Sequence, residues 1–103
     1  MSKTISSQRF LSTETVEQKR AAKDYEITVS PDFVVDGTVY RVLMDGHHSL
    51  AAAKADGVEP VVKVATVIDS DRVSLLDNGV EDFLAAEHMG DDWYDVATGR
   101  EVW

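Results

Sequence analysis

Between Tyr25 and Ile68 the chain is divided by Asp-Gly pairs and prolines into short segments, and that punctuation leaves few foldable arrangements. Tyr25, Ile27 and Val29 alternate with Glu26, Thr28 and Ser30 up to Pro31, the period-two pattern of a half-buried strand stopped by a residue without an N–H. Phe33-Val34-Val35 follows, and Asp36-Gly37 is a two-residue turn that sends the chain back through Thr38 to Leu43 as the second arm of a hairpin. That arm ends at Asp45-Gly46. From His47 to Ala55 helix formers take over, with Asp56-Gly57 as the stop. After Pro60 the β-branched run Val61 to Ile68 reads as a further, more central strand. Strand, hairpin, helix and strand in this order predict an α+β fold, a small mixed sheet with packed helices.

The flanks add smaller elements. Residues 1–11 read as a flexible N-terminal segment and 12–103 as a single domain, since 103 residues suffice for one modest core. Ser12 is a good N-cap for a short helix over Thr13 to Lys23, which must dock to be stable. Asp69 to Leu76 has room for one short turn of helix. Asn78 and Glu81 form a capping pair for a helix that carries Val80, Phe83 and Leu84 and ends near His88 to Gly90. Trp93 to Trp103 reads as a small hairpin around Thr98-Gly99. Its tryptophans are expected to cover core, and an exposed edge there would suit a homodimer.

Charge and composition exclude several classes. The formal net charge is −9, with Lys3, Arg9, Lys19, Arg20 and Lys23 near the start and only Arg72 and Arg100 among the many acids after Asp69. Affinity for nucleic acid comes largely from counterion release by Lys and Arg, so this surface argues against DNA binding and toward a basic protein partner. Without any Cys there is no disulfide framework or thiolate nucleophile. Apolar stretches are too short to span a bilayer and Met1 to Arg9 lacks a signal-peptide core, so no membrane association and a cytoplasmic location are expected.

Chemistry concentrates at the turn 45–49. A helix beginning after Asp45 leaves first-turn N–H groups free, Gly46 permits the turn and close approach of a ligand, and His47, His48 and Ser49 can each donate to a phosphoryl oxygen. His47, His48 and His88 with Asp91 or Asp92 have the right types for a metal. Adjacent helical residues point about 100° apart, however, so no metal site is expected. No nucleophilic triad is evident.

The span from Tyr25 to Val67, above all Tyr40 to Ala53, resembles the ParB/sulfiredoxin superfamily, in which a strand ends in a Gly-x-His-Arg type motif and the following helix starts under a nucleotide triphosphate. Gly46 and His48 match the motif, Leu50 with Ala52 or Ala53 matches the face that packs the helix on the sheet, and Val58 to Val64 matches the strand after it. The resemblance implies a stand-alone domain of the sort found in phages and mobile elements. It implies binding of ATP or CTP with Mg²⁺ through Gly46, His47, His48 and Ser49, and weak nucleotide hydrolase or nuclease activity with Asp45 and His48 as the catalytic pair. Ser49 stands where the family has its phosphate-binding arginine, and a hydroxyl is no substitute for a bidentate cation. His47 stands where sulfiredoxin has its cysteine, which excludes sulfinic acid reduction. The alternative is a catalytically inactive acidic interaction protein that occupies a basic protein surface.

Overall fold

A computed structural model describes residues 2–103. The chain runs β1 (Lys3–Ser6), α1 (Thr13–Ala22), β2 (Glu26–Val29), β3 (Phe33–Val35), β4 (Thr38–Asp45), α2 (His47–Asp56), β5 (Val61–Val64), a 3-10 segment (Asp71–Asp77), α3 (Val80–Glu87) and β6 (Tyr94–Asp95). The strands form one mixed sheet in the order β5-β2-β4-β1-β6, with β3 also paired to β4. This is a small α+β domain with packed helices.

β4 is the spine. Its first half pairs antiparallel with β3 through Phe33 opposite Tyr40, and its second half with β2 through Val29 opposite Leu43. The chain between β2 and β3 cannot continue the ladder, because Pro31 has no N–H to give. Ser30 covers the gap: its N–H donates to the Val42 carbonyl at 2.8 Å and its Oγ accepts the Val42 N–H at 2.9 Å. Ser30 is accordingly buried and fully used.

Alternation along β4 sends successive side chains to opposite faces. Tyr40 and Val42 join Ile5, Phe33 and Phe83 in one core, lined further by Leu75, Leu76, Val80, Leu84 and Trp93, so the 3-10 segment and α3 cover that face. Leu43 joins Ile27 and Val29 with Leu50 and Val96 in the other, and α2 covers it. α1 has no buried residue and lies against α2, outside the two cores. Arg20 of α1 and the Tyr25 hydroxyl both donate to Asp56 at the end of α2, each at 2.7 Å, which supplies the docking the short helix needs.

Several sequence expectations are corrected. The expected flexible segment 1–11 contains a strand of the domain's own sheet. Lys3–Ser6 is an inner strand, parallel to β4 and antiparallel to β6, with Ile5 wholly buried. Its single apolar side chain sits at the centre of a core where burial outweighs a polar composition. The run Val61 to Ile68 forms a strand only over Val61–Val64, and this strand is an edge, with all four residues exposed. The N-cap of α3 is Gly79, with no side-chain cap, while Asn78 closes the preceding 3-10 segment. Ser12, by contrast, caps α1 by accepting from the Thr15 N–H, and Gly57 ends α2 in the left-handed conformation. The tail forms the expected tight turn, with Asp95 N–H donating to the Arg100 carbonyl and Gly99 N–H to that of Asp95. Trp93 and Trp103 stack edge-on beside the Tyr40 core. Among the described residues no helix is long and apolar enough to cross a membrane.

Candidate functional site

Asp45 is the last residue of β4, and Gly46 turns the chain into α2 with φ 93° and ψ 25°. A Cβ there would lie 2.7 Å from the Glu26 carbonyl oxygen and 2.8 Å from the Ile27 Cα. Glycine is therefore demanded twice, by a left-handed conformation and by contact with the β2 backbone. Its missing side chain faces β2, which corrects the expectation that it opens the turn to a ligand. Asp45 Oδ1 accepts the Gly46 N–H at 2.8 Å, and Gly46 itself is the N-cap of α2. No side chain caps the first turn of this ten-residue helix, and the Asp45 carboxylate beside the N-cap is the charge that faces its positive end.

Both imidazoles are held by the N-terminal segment. His47 Nε2 lies 2.8 Å from Ser6 Oγ, and that hydroxyl also accepts the Gln8 N–H at 3.0 Å. Burial lowers the His47 pKa below the ordinary imidazole value; the Asp45 charge opposes the shift and His48 adds to it. His47 is thus a neutral ring at pH 7. His48 Nε2 accepts the Ser12 N–H at 3.1 Å, so its lone pair is engaged and the proton sits on Nδ1. The two histidines join the end of β1 and the start of α1 to one helical turn. Ser49 is 2 % exposed and lies below the surface of the turn.

The turn nevertheless borders a cleft of about 310 Å³ lined by Gln8, Lys19, Asp45, Gly46, His47, His48 and Ser49. All five predicted site residues meet there. Lys19, from the last turn of α1, joins them, its Nζ 2.9 Å from Asp24 Oδ2. That ion pair is the largest cause of a lowered Asp24 pKa, followed by the Glu26 N–H and, further down, by the Ser49 hydroxyl. Lys19 lies thirty positions before Ser49 in sequence, and only the packing of α1 on α2 brings it to the turn. The one available hint was that a helix so poor in apolar residues must dock to form. Among the described residues no cluster of three or more His, Asp or Glu is arranged to hold a metal ion, and His88 stacks on Trp93 instead of joining the turn. A more spacious groove of about 530 Å³ runs between Val34, Val35, the start of α3 and Trp103, but its lining is mainly apolar and contains none of the residues 45–49.

Comparisons with protein-family models, with curated proteins and with solved structures give no match.

Proposed function

We propose that this domain binds a phosphate group, in the form of a nucleotide, in the cleft at residues 45–49. The observation that carries the reading is Lys19: this residue, its ammonium paired with Asp24, lines the same 310 Å³ cleft as the uncapped first turn of α2. Dipole and cation act together on an anion, and exchange of Lys19 from Asp24 to a phosphoryl oxygen would replace one charge-assisted contact by another. In this reading Lys19 supplies the charge that Ser49 does not, as the resemblance to the ParB/sulfiredoxin superfamily requires. His48 Nδ1–H and the Gln8 amide add donors, and His47 acts chiefly by positioning the turn through Ser6. Asp45 is exposed at the rim. Mg²⁺ is usually held by one or two carboxylates together with phosphate oxygens, and a single acid fits that mode. Asp45 would hold the ion beside the phosphates, where Mg²⁺ offsets phosphate charge.

Calorimetric titration with inorganic tripolyphosphate, ATP, CTP and GTP, with and without Mg²⁺, tests the reading. Saturable binding is expected, and Lys19→Ala should weaken it by ~1.5–3 kcal/mol, the worth of one hydrogen bond to a charged group. Absence of binding at millimolar ligand, or full affinity in Lys19→Ala, overturns it. Measurement of phosphate release by Asp45→Asn and His48→Gln beside the parent chain then decides whether hydrolysis accompanies binding.

A second reading, the inactive interaction protein, is favoured by one observation. Asp69, Asp71, Asp77, Glu81 and Asp82 are all exposed around the 3-10 segment and the start of α3, with Arg72 the sole cation among residues 69–82. Such a surface suits a basic protein. Charge reversal at Asp71, Asp77, Glu81 and Asp82 should abolish salt-sensitive capture of a basic partner. Asp91 and Asp95 are less suitable for that purpose, because they accept the Arg9 and Ala97 N–H groups.

A further inference from the structure

On the sheet face that α2 covers lies a cavity of about 430 Å³ that shares no residue with the cleft at 45–49. Four neighbouring strands line it, with Val62 of β5, Ile27 of β2, Arg41 of β4 and Thr4 of β1, and α2 adds Leu50 and Lys54. Arg41 is the residue that stands out. Tyr40 and Val42 on either side of it enter one core, so alternation along the middle strand of the sheet sends Arg41 to the face of the other. There it is half-buried, and charged groups that lose much of their water are ordinarily paired. Its Nε donates to Thr4 Oγ1 at 2.8 Å, one donor of five. Ion pairs among the described residues engage Lys19, Arg20, Lys63 and Arg72, but neither Arg41 nor Lys54, although acids outnumber bases by 19 to 10. Lys54 Nζ donates instead to the Val96 carbonyl, on the cavity's far wall. Glu59 and Asp95 border the cavity without pairing to either cation, and Asp95 Oδ1 accepts the Ala97 N–H at 2.9 Å.

We propose that this cavity binds a small apolar carboxylate, an alkanoate of medium chain length, with Arg41 as the partner of its carboxylate. The head group follows from the guanidinium. With Nε held by Thr4, the two terminal nitrogens of Arg41 keep their donors, and a guanidinium edge matches a carboxylate through two parallel hydrogen bonds. Lys54 brings a second cation to the same cavity. A single negative charge suits it best, because Glu59 and Asp95 on the border would repel the second charge of a phosphate monoester. The body of the ligand follows from the walls. Ile27, Leu50, Val62 and Val96 give an apolar surface against which an alkyl chain packs. Val62, 42 % exposed on the edge strand, gains cover from such a chain. The volume falls within the roughly 300–1,000 Å³ of pockets that enclose small molecules. The inference is independent of the phosphate reading, since Lys19 and residues 45–49 take no part in this cavity.

NMR titration of the full chain with hexanoate, 1-hexanol and acetate tests the site. Hexanoate should produce saturable shifts at Ile27, Arg41 and Leu50. The alcohol lacks the charge and acetate lacks the chain, so each should bind at least about tenfold more weakly than hexanoate, a comparison that needs no protein variant. Arg41→Gln should lower hexanoate affinity by about tenfold or more, the worth of a hydrogen bond between charged groups. Lys19→Ala, which removes the cation of the other cleft, should leave hexanoate affinity unchanged. No saturation by hexanoate at tens of millimolar, hexanol or acetate bound as tightly as hexanoate, or undiminished affinity in folded Arg41→Gln overturns the proposal. Loss of hexanoate binding in Lys19→Ala would place the carboxylate at residues 45–49 and overturn it equally.

Discussion

Gly46→Ala isolates the contact on which the strand-to-helix turn is built. Two costs arise. The left-handed conformation at φ 93° disfavours any L side chain by ~1–2 kcal/mol. The new Cβ would also meet backbone atoms of β2 at 2.7 and 2.8 Å, and backbone cannot swing aside like a side-chain tip. Overpacking of this kind costs ~1–3 kcal/mol, giving ~2–5 kcal/mol in total against a stability of ~5–15 kcal/mol for a domain of this size. Gly57→Ala is the matched control. Gly57 also has a positive φ, 67°, but its added Cβ would meet nothing within 4 Å, so only the conformational cost applies. Urea unfolding followed by far-ultraviolet circular dichroism should place Gly46→Ala below Gly57→Ala by ~1–3 kcal/mol, at an unchanged urea slope. Equal losses in the two variants would falsify the close approach of Gly46 to β2, and with it the account of why this turn needs glycine.

The other predictions use different parts of the molecule. Ile5→Ala should cost ~2–5 kcal/mol in the same unfolding assay, because a wholly buried side chain is removed from the centre of a core; a loss below about 0.5 kcal/mol would return residues 3–6 to the exterior. Ser6→Ala should cost ~0.5–1.5 kcal/mol for the hydrogen bond at His47 Nε2, and the effect should shrink in the His47→Ala background of a double-mutant cycle. Since the folded His47 pKa is lowered, the unfolded chain takes up its proton first, and stability must fall as the pH drops below about 6.5; His47→Gln should flatten that portion of the pH–stability profile. Glu87 has the opposite sign. Its raised pKa makes its contribution greatest below the ordinary carboxylate range and lost as the pH rises through the folded value, so Glu87→Gln should remove a decline that the parent chain shows with increasing pH.

The middle of the fold was legible because local signals there agree with the tertiary solution. Asp36-Gly37 makes its turn with positive φ at both residues, as the hairpin requires, and the helix from His47 ends at Gly57 where sequence placed its stop. The N-terminus was illegible for the converse reason. Lys3, Thr4, Ser6 and Ser7 hide the one apolar residue among them, and a strand that pairs with residues 40–42 leaves no local trace. Val61–Val64 misled in the other direction: β-branched density announces a strand, not its position in the sheet, and exposed valines on an edge look in sequence like buried ones at the centre.

The same distinction governs the site. The turn 45–49 was visible because its chemistry is contiguous, but its two histidines and its glycine owe much of their presence to structure: His47 and His48 hold Ser6 and Ser12, and Gly46 lies against β2. The cation on which the proposed phosphate reading rests comes from far along the chain, Lys19 of α1, brought to the turn by the packing of α1 on α2. Gln8, Asp45 and His47 line the same cleft as Lys19. In the proposed reading an anion beside Lys19 would lie at the start of α2 with the exposed Asp45 carboxylate at its rim, so a cation held by Asp45 should raise phosphate affinity, and Asp45→Asn should reduce the gain on adding Mg²⁺.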